Sequence, residues 1–281
     1  MLPGISGRKE DLRPPELFHY TSAVGFEQIL RCRFLRATNF RFLDDPSEVS
    51  YGLDLVIPKL KTQGDGATRP LVKKFWRWTT DNVAAAALSD FYVCCFSSME
   101  DDVSQWRAFG GGPVRYALGF DSEEFYGLAK SVSGRFASVV YKGNRQTERI
   151  DRFIEKASGF LAAHRFAASD VEPFATIAAR HFVGLMTRFK SPKYEAEREA
   201  RIIVEKSSAY AEGIAFDASR GFLRPYIAVP LAKPDATIPL VSVWVLAPGR
   251  GDSALKAAAL VLEAAEIRGI TPQLSTVPIA F

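Results

Sequence analysis

The sequence is poor in the residues that build metal sites and covalent frameworks. It holds three cysteines, Cys32, Cys94 and Cys95, and three histidines, His19, His164 and His181. The cysteine count is odd and two of them are adjacent in an apolar run, which suits buried thiols rather than disulfides. No histidine stands at ligand spacing from another histidine or a cysteine, so no metal is expected. Long apolar runs are also missing. The Ala/Leu-rich stretch 257–265 is short and contains Glu263, so no membrane span and no membrane partner is expected. The amino terminus, MLPGISGRKEDLRPPELF, has charges and prolines where a secretory signal has an apolar core, and a cytoplasmic location follows as the expectation. Charge of one sign is in short supply too: 36 Lys and Arg against 32 Asp and Glu give a formal net charge of +4. That balance permits nucleic-acid contact without predicting it.

What is present is an ordinary globular composition, 47% hydrophobic and 12% aromatic over 281 residues. A chain of this length buries roughly three quarters of its extended surface, so it needs no metal or disulfide to fold. The expected organisation is a single domain over residues 1–281, with a flexible segment 1–15 and a helical insertion at 146–190.

Apolar periodicity predicts strands at 17–21, 34–38, 91–97, 114–120, 200–204, 226–230, 241–246 and 273–279. The run 91–97 (FYVCCFS) reads as a central strand buried on both faces, with 114–120 as its hairpin-like partner. Helices are expected after Thr21 or Ser22 as cap, from Asp45-Pro46-Ser47-Glu48 to about Lys61, and at 71–88, 101–109, 149–164, 172–189 and 253–268. In the second of these, Asp45 caps, Pro46 opens and Glu48 reaches back at N3. Residues 63–68 read as a polar connector, and Gly110 to Pro113 as a break. Gly249-Arg250-Gly251 reads as an ordinary crossover turn. Strands and helices do not alternate strictly, so the fold class is α+β, a mixed, largely antiparallel sheet of short strands with helices packed on it.

Three groups of polar residues stand where a plain core would not place them. His19, Tyr20 and Thr21 interrupt the first strand. Ser97 and Ser98 end the central strand and lead to Gln105 and Trp106, in a place where a serine or an aspartate also caps the next helix. Glu197, Glu199 and Arg201 alternate into a later strand, so in extended chain all three project to one face. Two carboxylates so placed repel unless a cation lies between them, and Arg201, Lys190 or Lys193 could supply it. Read singly, each group also fits a bland role: a core histidine, a helix cap, a solvated charge cluster.

Taken in order, LFHYTSAVGFEQIL, LRATNFRFLDDPSE, CCFSSMEDDVSQWRAFG with YALGFD, and KYEAEREARII resemble the bacterial family called domain of unknown function 2971. The carboxyl-terminal VWVLAPG and STVPI are similar as well. Two departures stand out: Ala200 replaces an expected tryptophan, and the arginine that often follows the terminal proline is missing. A further resemblance, to the ADP-ribosyltransferase layout, implies an ADP-ribosyltransferase-like fold and NAD as substrate. It implies that His19 bonds a ribose hydroxyl, that Ser97 holds the nicotinamide ribose or stabilises the pocket, and that Tyr20 or Trp106 faces the nicotinamide, with Thr21 and Arg201 completing the binding set. Glu199 would be the catalytic glutamate and Glu197 would position the acceptor, a protein or a nucleic acid, in a bacterial toxin or phage-defence setting.

Two alternatives accompany that expectation. One is a magnesium-dependent nuclease or phosphodiesterase in which Asp44 or Asp45 meets Glu197 and Glu199. The other is a non-catalytic nucleotide-sensing or interaction module whose acidic pair is neutralised by Arg201.

Overall fold

The computed structural model describes residues 14–85, 91–109, 111–164, 167–206, 212–218, 221–233 and 235–278. The elements in chain order are β1 (Glu16–Ser22), α1 (Ala23–Cys32), β2 (Phe34–Asn39), α2 (Ser47–Gly66), α3 (Pro70–Ala85), β3 (Phe91–Ser97), α4 (Val103–Ala108), β4 (Arg115–Asp121) and α5 (Ser122–Ala129). They continue as β5 (Arg135–Ser138), α6 (Gly143–Ala163), α7 (Val171–Met186), β6 (Glu199–Glu205), β7 (Ile214–Asp217), β8 (Arg224–Pro230), β9 (Leu240–Leu246), α8 (Gly251–Ala264) and β10 (Gln273–Leu274). Most of the expected flexible segment 1–15, the end of the expected helix 71–88, Gly110, and the last residue of the expected final strand lie outside the described residues.

The α+β class holds, and the sheet is largely antiparallel. Among the named strands only β9 and β10 pair in parallel. The order runs β10-β9-β4-β1-β3-β2-β8-β7, with β6 added to β3 and β5 added to β6. Strand β3 is central, as its continuous apolar run requires: six of its seven residues are buried, and β6 pairs along its whole length.

Alternation along β3 and β6 divides the core into two layers. Phe91, Val93 and Ile203 face one side and pack with α2, α3, α6 and α7, among them Leu60, Trp76, Phe153 and Phe182. Tyr92, Cys94, Phe96, Ile202 and Val204 face the other side and pack with Phe26 of α1, Phe125 of α5 and Leu262 of α8.

One irregularity shapes the centre. Strands β1 and β2 share the same edge of β3, one at each end. β1 meets β3 at Phe18 opposite Ser97, whereas β2 meets it at Thr38 and Asn39 opposite Val93 and Tyr92. The sheet is therefore split beside the middle of β3.

Several local expectations change. The expected strand at 114–120 is not a hairpin partner of β3; β4 pairs β1 and β9, because α4 carries the chain away from β3 before it re-enters the sheet. Helix α2 runs through the expected connector to Gly66, with Gly64 against the side chain of Trp76. Tertiary packing there outweighs a helix cost of about 1 kcal/mol per interior glycine. The expected strand 273–279 is reduced to Gln273–Leu274. Beyond it, Thr276 donates its backbone N–H to the Asp101 carboxylate at 2.9 Å, and the Ser275 hydroxyl also bonds Asp101. A side-chain anchor thus replaces a strand ladder.

Candidate functional site

The site begins with a turn. The 3-10 segment Pro192–Glu197 ends at Arg198, whose φ of 44° is left-handed. That reversal sets Glu199 as the first residue of β6, opposite Ser97 at the end of β3. Alternation then places Glu199 and Arg201 on the face covered by α2 and α7.

Five charged side chains meet there. The Arg201 guanidinium, 1% exposed, donates from Nε to Glu199 at 2.6 Å and from Nη2 to Glu199 at 3.0 Å and to Glu48 at 2.6 Å. Its Nη1 donates to the Thr187 carbonyl at 2.8 Å. The Lys190 ammonium lies 2.5 Å from Glu197, 3.1 Å from Glu199 and 3.2 Å from Glu48. Among the described residues of this cluster, three carboxylates meet two cations, one negative charge in excess. A buried amide holds the lysine in place: Gln146 Nε2 donates to the carbonyls of Val140 and Lys190 at 2.6 and 2.9 Å, and its oxygen accepts from Tyr51 of α2.

The two glutamates of the pair are driven apart. Burial works to raise Glu199, but the charge and hydrogen bonds of Arg201, with Lys190 behind them, overcome it and hold the carboxyl at about 2. Burial raises Glu197 above the ordinary range; its bond to Lys190 opposes this, and the charges of Glu199 and Glu48 add to it. Lys190 is pushed up, its burial outweighed by Glu199, Glu48 and Glu197.

The depressed Glu199 makes stability pH-dependent. Its contribution is complete above the ordinary 4.5 and disappears as pH falls from there toward 2, since the unfolded carboxyl takes up its proton first. Glu197, raised in the folded state, acts in the opposite direction on acidification. Thermal melts from pH 7 to pH 2.5 are expected to show the stability advantage of wild type over Glu199→Gln shrinking below about pH 4.5. An advantage constant with pH would contradict this assignment.

Of the five, Glu199 reaches a cleft of about 430 Å³, which it lines with Ser98, Ser138, Tyr141, Arg198 and Ala200, with Pro14 and Val139 as apolar walls. That volume lies in the range of small-molecule sites. The Tyr141 hydroxyl accepts the Glu199 backbone N–H at 2.9 Å and so fixes the start of β6. Tyr141→Phe leaves that N–H without a partner, and unfolding in urea should show a loss of about 1–3 kcal/mol. An unchanged midpoint would mean that the bond is replaced by solvent.

The sequence-derived residues are distributed unevenly. Glu197, Glu199 and Arg201 converge, with Lys190 as the second cation. Ser97 is adjacent but buried, and its hydroxyl is engaged: it donates to the Glu197 carbonyl at 2.9 Å and accepts from the Met99 N–H at 3.1 Å. Tyr20 and Trp106 pack edge to face at 4.8 Å. Trp106 is fully buried, its Nε1 donates to Asp101 at 2.8 Å, and the Tyr20 hydroxyl donates to the Met99 carbonyl at 2.8 Å. Gln105, next to Trp106 in the chain, donates from Nε2 to the Glu197 carbonyl at 3.2 Å. Thr21 sits opposite Tyr116 in the β1–β4 ladder.

His19 projects to the other face of the sheet from Ser97 and Glu199, where its ring packs edge-on against Phe96. Its Nδ1 bonds the Cys95 carbonyl at 3.1 Å, where the β1–β3 ladder stops, and burial lowers its pKa. His19 therefore bridges the split.

Ser98, named with Ser97 in the sequence, lines the cleft; residues that sequence reasoning missed are Glu48, Tyr141, Ser138 and Arg198. Glu48 was expected to reach back as a capping residue; instead it turns inward to both cations, while Asp45 accepts from the Ser47 N–H at 2.9 Å at the start of α2. Asp44 pairs with Arg224 at 3.2 Å, so the third carboxylate of the site is Glu48 rather than Asp44 or Asp45.

Residues 105–202, from α4 into β6, match the family model described as "Protein of unknown function (DUF2971)". The family resemblance drawn from the sequence is borne out over that stretch. No curated protein matches the chain. Among solved structures the chain is similar to "Thermus sp. 2.9 DarT in complex with ADP-ribosylated ssDNA", at 13% identity and a TM-score of 0.34, over 95% of this chain and 97% of that one. A likeness this loose carries no argument about chemistry. No described helix is long and apolar enough to cross a membrane.

Proposed function

We propose that the protein is an ADP-ribosyltransferase-like enzyme that cleaves the nicotinamide–ribose bond of NAD and passes ADP-ribose to an acceptor, a protein or a nucleic acid. The observation that carries this reading is the excess negative charge of the Glu48, Lys190, Glu197, Glu199 and Arg201 cluster beside the cleft. NAD carries a cationic nicotinamide ring. As the glycosidic bond breaks, its electron pair neutralises that ring and positive charge moves to the ribose carbon, as in glycoside hydrolysis. A carboxylate already fixed in place stabilises that charge without reorganising. Glu199, held ionised by Arg201, has that character.

The new bond forms between the ribose carbon and an acceptor oxygen or nitrogen, and the acceptor proton needs a base. Glu197, with its raised pKa, is the better general base of the two. Arg198, Ser98 and Ser138 supply a cation and hydroxyls suited to the pyrophosphate and a ribose. Nicotinamide release from NAD, followed by chromatography, tests the reading.

A second reading is favoured by one observation. Both oxygens of Glu199 are engaged by Arg201, and one is also held by Lys190, which suits a module that binds a nucleotide without turning it over. NAD binding with no nicotinamide released would select that reading. The magnesium-dependent alternative has less support, because its carboxylates surround an ammonium rather than an open position.

A further inference from the structure

The sequence Asp45-Pro46-Ser47-Glu48 is read most simply as a helix start, and Asp45 does serve that purpose. Glu48 does not. It is 7% exposed, lies 153 positions from Arg201 in the chain, and places one carboxylate oxygen on each cation: Oε2 at 2.6 Å from Arg201 and Oε1 at 3.2 Å from Lys190. A helix that needed only packing at this point would carry an apolar residue, because a buried carboxylate has a large desolvation cost. The rest of α2 is joined to the same place, since Tyr51 bonds Gln146 and Gln146 holds the Lys190 carbonyl.

We propose that Glu48 is a positioning residue of the site, a third carboxylate delivered by the first turn of α2 that fixes Lys190 and Arg201 and through them the arrangement of Glu197 and Glu199. Its consequence for catalysis rests on the transferase reading; its coupling to Glu197 does not. The groups facing Glu197 among the described residues are Lys190 after α7, Glu199 on β6, Glu48 on α2 and Tyr141 after β5, while Arg201 is held to Glu199 and Glu48. Cys95 of β3 lies beside Glu199, and Asp45 and Tyr194 lie beside Lys190. Removing the charge of Glu48 takes away a like charge and releases Lys190 to Glu197. Both changes favour the ionised form of Glu197.

The test is a carbon-detected NMR titration of the Glu197 carboxyl in full-length protein, its signal assigned by its loss in Glu197→Gln. In wild type Glu197 should titrate above the ordinary glutamate range. In Glu48→Gln, with the fold checked by near-ultraviolet circular dichroism, the midpoint should move to lower pH. Glu48→Asp, which keeps the charge but draws it back, should fall between the two. A midpoint in folded Glu48→Gln equal to that of wild type overturns the proposal, since a residue that only packs is replaced by its amide without moving a neighbour's titration. If Glu48→Gln does not fold, Glu48→Asp decides by the same criterion. NAD titrated into the same samples separates the two claims: failure of wild type to bind removes the transferase reading, while the shift in midpoint still supports the role of Glu48.

Discussion

Replacing Arg201 by methionine is expected to lower the unfolding free energy by about 3–5 kcal/mol, the usual result of removing one partner from a buried ion network. Methionine approximates the length of the stem, so lost volume is a minor part of the effect. The dominant cost is electrostatic. Glu199 and Glu48 stay behind in a buried site with only Lys190 to share among three carboxylates, and the Thr187 carbonyl loses its donor. The variant Glu48→Leu/Glu199→Leu/Arg201→Met should recover most of the loss, because it leaves a neutral Lys190–Glu197 pair in a more apolar surround. Equilibrium unfolding in urea gives both numbers. Equal destabilisation of the single and triple variants would show that packing around Arg201, not charge balance, holds this region together.

The second large effect concerns chemistry. Glu199→Gln is nearly isosteric and can retain one bond to Arg201 through its carbonyl oxygen, so the fold and the cleft should persist. Under the proposed mechanism it removes a preorganised charge from beside the developing oxocarbenium ion. The rate of nicotinamide release should fall about 10²–10³-fold, by analogy with removal of a single preorganised electrostatic stabiliser, with NAD affinity changed far less. Glu197→Gln should slow transfer to an acceptor more than it slows bond cleavage, because Glu197 is assigned to the acceptor's proton. Equal rates for wild type and Glu199→Gln would take the catalytic role away from Glu199.

The layout of the fold was legible where residues carry their own pattern. FYVCCFS announces β3 because a strand buried on both faces has no polar side. The period-2 placement of Glu199 and Arg201 is visible before the structure because β6 keeps it. Strands β5 and β7 were not legible: RFAS and IAFD are four residues long, and they exist because β6 and β8 offer hydrogen-bonding edges. The carboxyl-terminal strand was overcalled for the opposite reason. Its apolar residues fit a ladder, but Asp101, far away in the sequence, draws the backbone of Thr276 into a different bond.

The site shows the same limit. Glu197, Glu199 and Arg201 are neighbours in sequence and were found together. Glu48 was hidden because a glutamate three residues after an aspartate has an adequate local explanation, and only the three-dimensional contact with Arg201 reveals the other one. Tyr141 and Arg198 had no local signal. A tyrosine accepting one backbone N–H and an arginine at a left-handed turn look ordinary until the chain brings them to one cleft. Tyr20, Ser97 and Trp106 had signals that pointed toward ligand, yet their polar atoms are used within the protein.

The central claim is that the charge-imbalanced cluster beside this cleft acts on NAD. The most direct measurement is nicotinamide release from millimolar NAD by the purified wild-type protein, with Glu199→Gln run in parallel. The account predicts steady release by wild type and a loss of at least about 10²-fold in the variant. No release by wild type, together with no binding of NAD in a calorimetric titration, would contradict it.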